Sequence, residues 1–257
     1  MQELVVKTAR DFSRNVLAPN AARWDKEHIH PIDEIMQLGE LGLFGMLVPE
    51  EYGGTALGYE TLAMAIEEIA AGDGGCSTIV SVMNSVVCGP IAAFGTEAQK
   101  EQWLVPLATG DMLGAFCLTE PQAGSDASAL QTKAVKDGDD WLLSGSKQFI
   151  TNGKFAKVAI VFAVTDPAAG KRGLSAFLVP SDSEGYLVAS VEEKMGQRSS
   201  DTALLQFDQV RLPASAMLGN PGDGYRIALA NLEGGRIGIA SQAVGMARAS
   251  FDAALQY

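Results

Sequence analysis

The segment Phe116-Cys117-Leu118-Thr119-Glu120-Pro121-Gln122-Ala123-Gly124-Ser125-Asp126 is the densest concentration of usable chemistry in the chain. It gathers hydroxyls, small residues and backbone N–H groups in one loop behind an apolar run. Such a loop can wrap a polar planar ligand or a pyrophosphate. A plain Gly/Ser/Pro turn accounts for the same composition equally well. A serine nucleophile is disfavoured, because Ser125 lacks the flanking glycines of a nucleophile elbow and no histidine lies in that half of the chain. A second cluster is Lys147-Gln148-Phe149-Ile150-Thr151-Asn152-Gly153. At a strand end, an aromatic followed two residues on by Thr can stack on a ring and donate one hydrogen bond. An ordinary strand end has the same composition. The third cluster is Leu232-Glu233-Gly234-Gly235-Arg236, inside a helical pattern. Two glycines there cost about 1 kcal/mol each relative to Ala. Close approach of a ligand or of a neighbouring helix would explain them, and Arg236 then suits a phosphate or carboxylate.

Other motifs carry less. His28-Ile29-His30 has no further ligand cluster around it and reads as a surface turn rather than a metal site. Glu50-Glu51, Glu67-Glu68 and Glu192-Glu193 read as solvated charge. No P-loop and no GxGxxG occurs, so a Rossmann nucleotide site is not signalled. Cys76, Cys88 and Cys117 form no CxxC and sit in or beside apolar stretches, as buried free thiols of a reducing compartment do.

The elements that must position these clusters fall into three stretches of an α+β multidomain chain. Residues 1–112 read as helical. Val5, Ala9, Phe12 and Val16 share one helix face, and residues 31–41 form a second helix stopped by Gly42. Residues 59–71 and the nearly all-apolar 77–94 follow, the latter as a buried central helix. Thr96 with Gln99 predicts a capping box. Residues 113–217 change texture, to short apolar or alternating runs at 113–118, 141–144, 158–164, 174–179 and 203–210. No helices intervene, which predicts an antiparallel barrel or sandwich-like domain rather than a parallel sheet. Residues 218–257 turn helical again and run to Tyr257 with no stop signal, as a chain cut short would.

Composition bounds the partners. The chain has 257 residues, with 19 Lys+Arg against 31 Asp+Glu, a net charge of −12. No basic surplus exists to replace counterions on nucleic-acid phosphates. No uninterrupted apolar run reaches the roughly 18 residues of a membrane span. Acidic residues among the first twenty argue against a transit peptide, which favours the cytoplasm of a bacterium over a mitochondrial matrix.

Taken together, these segments resemble the acyl-CoA dehydrogenases. The resemblance runs in order through Leu41-Gly42-Leu43-Phe44-Gly45, Val48-Pro49-Glu50-Glu51-Tyr52-Gly53-Gly54 and Phe94-Gly95-Thr96-Glu97-Ala98-Gln99-Lys100. It is strongest at residues 118–126 and 150–153. It continues through Lys194-Met195-Gly196-Gln197-Arg198-Ser199-Ser200-Asp201-Thr202 and Gly235-Arg236-Ile237-Gly238-Ile239-Ala240-Ser241-Gln242. It implies an N-terminal helical domain, a middle β-domain and a C-terminal helical bundle of which residues 218–257 are the first helix. It also implies FAD as cofactor, an acyl-CoA substrate, electron-transfer flavoprotein as acceptor and a homotetramer. Carried over by motif, Phe116, Cys117, Leu118, Thr119, Glu120, Pro121, Gln122, Ala123, Gly124 and Ser125 line the flavin, as do Phe149, Ile150 and Thr151. Ser125, Glu233, Gly234, Gly235 and Arg236 meet the CoA portion of the substrate.

Two departures qualify the resemblance. Many members have Trp where this chain has Phe149, so the indole N–H is lost. In one branch of the family the catalytic base directly precedes the residue matching Arg236, and here that residue is Gly235. Glu233 lies two residues earlier, about 200° around the helix. The resemblance therefore places the base beyond Tyr257. The residues around Ser81 to Ile91 and Gly235 to Gln242 look most like short-chain, butyryl-type members. A flavin monooxygenase or acyl-CoA oxidase of the same fold, and a non-catalytic binding protein, are the competing expectations.

Overall fold

The computed structural model describes residues 1–257. Helices occupy the chain as far as Thr109. Helix α1 (Gln2–Phe12) passes through a π-helical turn at Ser13–Leu17 into α2 (Ala18–Glu27). Val5, Ala9 and Phe12 face the core as their spacing predicts, but Leu17 is buried rather than Val16. The extra residue of the π turn moves the buried face on by one position. Helix α3 (Ile32–Glu40) buries Ile35 and Leu38, and the chain leaves it through Gly42 at φ +79°. Helix α4 (Gly58–Gly72) buries Leu62, Ala65, Ile66 and Ile69.

Asp73 then caps the central helix, accepting a hydrogen bond from Cys76 N at 2.7 Å. That helix is α5 (Gly74–Val82), a π-helical stretch at Met83–Cys88 and α6 (Gly89–Phe94). The sequence reading underestimates it: Gly74–Phe94 is long and apolar enough to cross a membrane by length and composition. Its most apolar window is nonetheless 67% buried inside the protein. The burial follows from contacts with α4 and with the C-terminal helix. The capping box forms at Thr96 and Gln99, opening α7 (Glu97–Gln99), and α8 (Val105–Thr109) closes the helical part.

Eight strands follow: β1 (Gly114–Cys117), β2 (Lys133–Asp137), β3 (Asp140–Thr151), β4 (Val158–Val164), β5 (Leu174–Pro180), β6 (Tyr186–Val191), β7 (Thr202–Leu212) and β8 (Met217–Leu218). They form one sheet in the order β6-β7-β3-β2-β4-β5-β8, with β1 also on β4. Most pairs are antiparallel, but β1 and β2 both run parallel to β4. The expected antiparallel β-domain holds for the other pairs, and the chain returns from β1 to β4 through β2 and β3, so no crossover helix is needed. Strands β2 and β6 escape the sequence reading because their exposed faces mask the alternation. Strands β4 and β5 read as continuous apolar runs because both faces are buried. Val158, Ile160 and Phe162 join the helical core, whereas Ala159, Val161 and Ala163 join a second core inside the sheet.

Helix α9 (Gly224–Gln256) packs along α4 and the central helix. The Glu67-Glu68 pair, expected in solvent, divides. Glu68 is buried and accepts from Arg10 of α1 and from Arg248 of α9. Burial alone would raise its pKa, but the two guanidinium groups outweigh that and hold it below the usual carboxylate value. One carboxylate thus ties three helices together.

Candidate functional site

The first and second clusters come together because the end of β3 runs back alongside β1 and the residues after it, Gln148 N donating to Thr119 O at 2.9 Å and Asn152 Nδ2 to Gly114 O at 3.0 Å. Their residues and the central helix enclose a cavity of about 180 Å³. Phe116, Leu118 and Thr119 line it from the β1 end. Phe149, Ile150 and Thr151 line it from β3, Val82 and Val86 from the central helix, and Leu232 from α9. Seven of its nine lining residues are hydrophobic, the other two are Thr119 and Thr151, and no carboxylate residue is among them.

Strand β3 is not a regular strand where it reaches the cavity. Its register against β7 shifts between Lys147 and Ile150. Phe149, at this irregularity, has φ +59° and is 59% exposed. A bulky residue in the left-handed region is an outlier that persists only where its surroundings impose it. A bulge that re-aims one side chain is a recurrent device beside functional sites. Asn152, also at positive φ, is fully buried and donates from Nδ2 to Gly114 O at 3.0 Å, tying the end of β3 to the start of β1.

The loop after β1 is corrected in several places. Cys117 alternates with Phe116 and Leu118, so its side chain enters the second core and burial pushes its thiol up to about 12. Glu120 does not face the cavity: its carboxylate is buried against Lys147 Nζ at 2.7 Å. Burial would raise its pKa, but the Lys147 charge and further donors hold it below the ordinary value. Glu120 and Ala123 exchange backbone hydrogen bonds, which leaves Pro121 and Gln122 at the exposed tip of a tight turn. The N–H groups of Glu120 and Ala123 are therefore not free for a ligand. Gly124 and Ser125 are exposed beyond the turn.

In the third cluster the two glycines separate. A Cβ on Gly234 would lie 2.5 Å from the Tyr59 hydroxyl, so helix packing explains that glycine. A Cβ on Gly235 would meet Ser85 Oγ and Val86 at 3.7 Å, an ordinary contact. Gly235 faces the central helix beside the cavity, and Glu233 and Arg236 are exposed. Sequence patterns do not mark Val82 and Val86 as site residues, and they mark Leu232 only as the first residue of the third cluster. Only the stacking of α9 on the central helix distinguishes them from other core residues.

A larger opening of about 380 Å³ lies around His30, Lys154, Lys194, Arg198 and Asp201. His30 is not the surface residue expected. Its side chain is 8% exposed, its ring stacks on Phe155 at 4.4 Å, and Nδ1 meets Ser199 O at 2.8 Å. The Lys194 ammonium donates to Ser200 O and Thr202 Oγ1, and Arg198 donates to Lys194 O and Asp25 O. These cations are engaged inside the fold, and the opening lacks the convergence of apolar wall and available donors seen at Thr119 and Thr151.

Comparison with known proteins locates the fold. The acyl-CoA dehydrogenase N-terminal domain matches residues 1–111, and the acyl-CoA dehydrogenase middle domain matches residues 115–210. The chain is 46% identical, over 99% of its length, to the mitochondrial short-chain specific acyl-CoA dehydrogenase of Rattus norvegicus. It spans 62% of the length of that relative. It is 44% identical to an acyl-CoA dehydrogenase of Bacillus subtilis, covering all of this chain and 68% of the relative. The solved butyryl-CoA dehydrogenase of Megasphaera elsdenii superposes with a TM-score of 0.97 at 44% identity, over all of this chain and 68% of that one.

Proposed function

Because the chain belongs to the acyl-CoA dehydrogenase family, we propose that it forms the flavin- and acyl-binding face of an FAD-dependent enzyme. The reaction is α,β-dehydrogenation of a short-chain acyl-CoA thioester to the trans-2-enoyl-CoA. Electron-transfer flavoprotein is the acceptor, and a homotetramer in a bacterial cytoplasm completes the proposal. The observation that carries it is the single cavity on which Thr119, Phe149, Thr151 and Leu232 converge.

The residues fit a flavin ring. At about 180 Å³ the cavity is smaller than the ~300–1,000 Å³ of pockets that enclose whole drug-sized ligands. Its size suits a planar ring rather than a whole dinucleotide, and the exposed Gly124 and Ser125 would be free to meet the remainder. A bound flavin would supply the hydride acceptor for the β-hydrogen of the acyl group. The Thr119 and Thr151 hydroxyls offer hydrogen bonds to its polar edge, where preorganised donors favour the negative charge that arrives on reduction. Phe116, Leu118 and Ile150 exclude water from the ring face. Val82, Val86 and Leu232 form the helical side of the same cavity, the side from which a short acyl chain would approach the ring. Arg236, exposed on α9, offers a cation to the CoA portion. The cavity lining holds no carboxylate, so the base that removes the α-proton comes from residues other than these.

A visible spectrum of the purified protein, before and after anaerobic butyryl-CoA, tests this reading. A flavin band that bleaches supports it. A protein that neither carries nor takes up FAD overturns it. A reduced flavin that reacts rapidly with oxygen would redirect it to an oxidase or monooxygenase of the same fold.

A further inference from the structure

We infer that Lys147, through its pair with Glu120, is the positioning residue that holds the two ring-facing segments of the site in register. This rests on the flavin reading above and concerns what sets the relative placement of Thr119 and Thr151.

The sheet ladder does not set it. Strand β1 pairs with β4, not with β3, so the Thr119 and Thr151 segments are not successive rungs of one ladder. The pairing of β3 with β7 is also interrupted between Lys147 and Ile150. Lys147 stands at this break. Its ammonium donates to Leu118 O at 3.1 Å and to Glu120 Oε1 at 2.7 Å, holding a backbone carbonyl before Thr119 and a side chain after it. The next residue adds a third tie, Gln148 N donating to Thr119 O at 2.9 Å. Glu120 spends its remaining capacity closing the loop. Oε2 accepts from Gln122 Nε2 and Gln131 N, and Oε1 accepts from Thr132 N. One buried cation therefore fixes the carbonyl before Thr119, the side chain after it, and the strand that delivers Phe149 and Thr151 two and four residues later.

The electrostatics favour a geometric role over a stabilising one. Lys147 is fully buried and burial lowers its pKa, with Glu120 opposing that shift. A buried ion pair often contributes little more to stability than a well-packed apolar pair would. Such a pair does fix direction, because every remaining donor and acceptor must be met. A Met at position 147 would fill the space and leave Leu118 O and Glu120 without their shared partner.

The test is FAD binding by the purified protein and by Lys147→Met, each alone and combined with Thr119→Val. The midpoint potential of the bound flavin is recorded alongside. We expect Lys147→Met to weaken FAD binding at least tenfold and to move the potential to a more negative value. In the Thr119→Val background the same substitution should cost less than threefold, because the hydroxyl it positions is gone. Losses that multiply independently, with an unchanged potential, would overturn the inference and leave the flavin reading intact. A wild-type protein that takes no FAD would overturn both. Should Lys147→Met not fold, Lys147→Met with Glu120→Gln, which leaves no buried charge unpaired, takes its place with the same criteria.

Discussion

At the residue scale, Phe149 and Thr151 make opposite demands on the chain. Phe149 is held at φ +59° while more than half exposed, so backbone conformation rather than packing governs its replacement. Phe149→Val should destabilise by about 1 kcal/mol, because a β-branched side chain is poorly accommodated there. Phe149→Asn should stay within about 0.5 kcal/mol of wild type, since Asn visits this region readily. Urea midpoints of the two variants provide the check, and equal midpoints would show that the conformation imposes no strain. Thr151 is one of the two polar residues that line the cavity. Thr151→Val keeps its shape and removes one donor. If the proposed function holds, it should slow flavin reduction by acyl-CoA by roughly 10²-fold, the usual effect of losing one preorganised donor, with little change in melting temperature. Stopped-flow bleaching of the flavin band measures it.

At the element scale, the glycines of α9 record how closely the helix lies on its neighbours. A Cβ at Gly238 would fall 2.1 Å from Ser81 Oγ, and one at Gly245 would fall 2.2 Å from the Glu67 carbonyl oxygen. Backbone cannot step aside as a side-chain tip can. Gly245→Ala should therefore cost about 1–3 kcal/mol through overpacking. Gly235→Ala meets only ordinary contacts and should gain up to about 1 kcal/mol from helix propensity. Thermal unfolding of the two variants should move in opposite directions. The same reasoning resolves the Gly234-Gly235 pair, which looked like one feature in the sequence. Gly234 makes room for Tyr59, whereas Gly235 leaves open surface beside the cavity.

At the scale of the whole molecule, one long-range tie stands where three helices meet. Glu68 binds α1 and α9 to α4, and its pKa is depressed relative to the unfolded chain. A carboxyl group so depressed contributes stability above its unfolded value. That contribution is lost as pH falls through the folded value, because the unfolded chain takes up the proton first. Stability should thus decline as pH drops below the ordinary Glu value of 4.5. Glu68→Gln should lower stability at neutral pH and flatten that decline. Chemical denaturation between pH 3 and 7 (about the range over which Glu titrates) tests it. A wild-type slope retained in the variant would show that other carboxylates carry the acid dependence.

The sequence by itself determined the helix–sheet–helix order, the capping box at Thr96 and Gln99, the buried central helix and the two segments that meet at the cavity. Each rests on local information: periodicity, a cap at fixed spacing, or a motif a few residues long. What only the tertiary structure decided is non-local. The pairing of β1 with β4, the Glu68 clasp across 180 residues to Arg248 and the inward turn of Glu120 depend on partners that no window of sequence contains. Glu120 is the clearest case. Beside Thr119 in a polar loop it reads as a ligand contact, yet Lys147 waits 27 residues away on a strand brought alongside by folding. A carboxylate next to a buried cation turns inward, and the chain alone does not say where its cations will be buried.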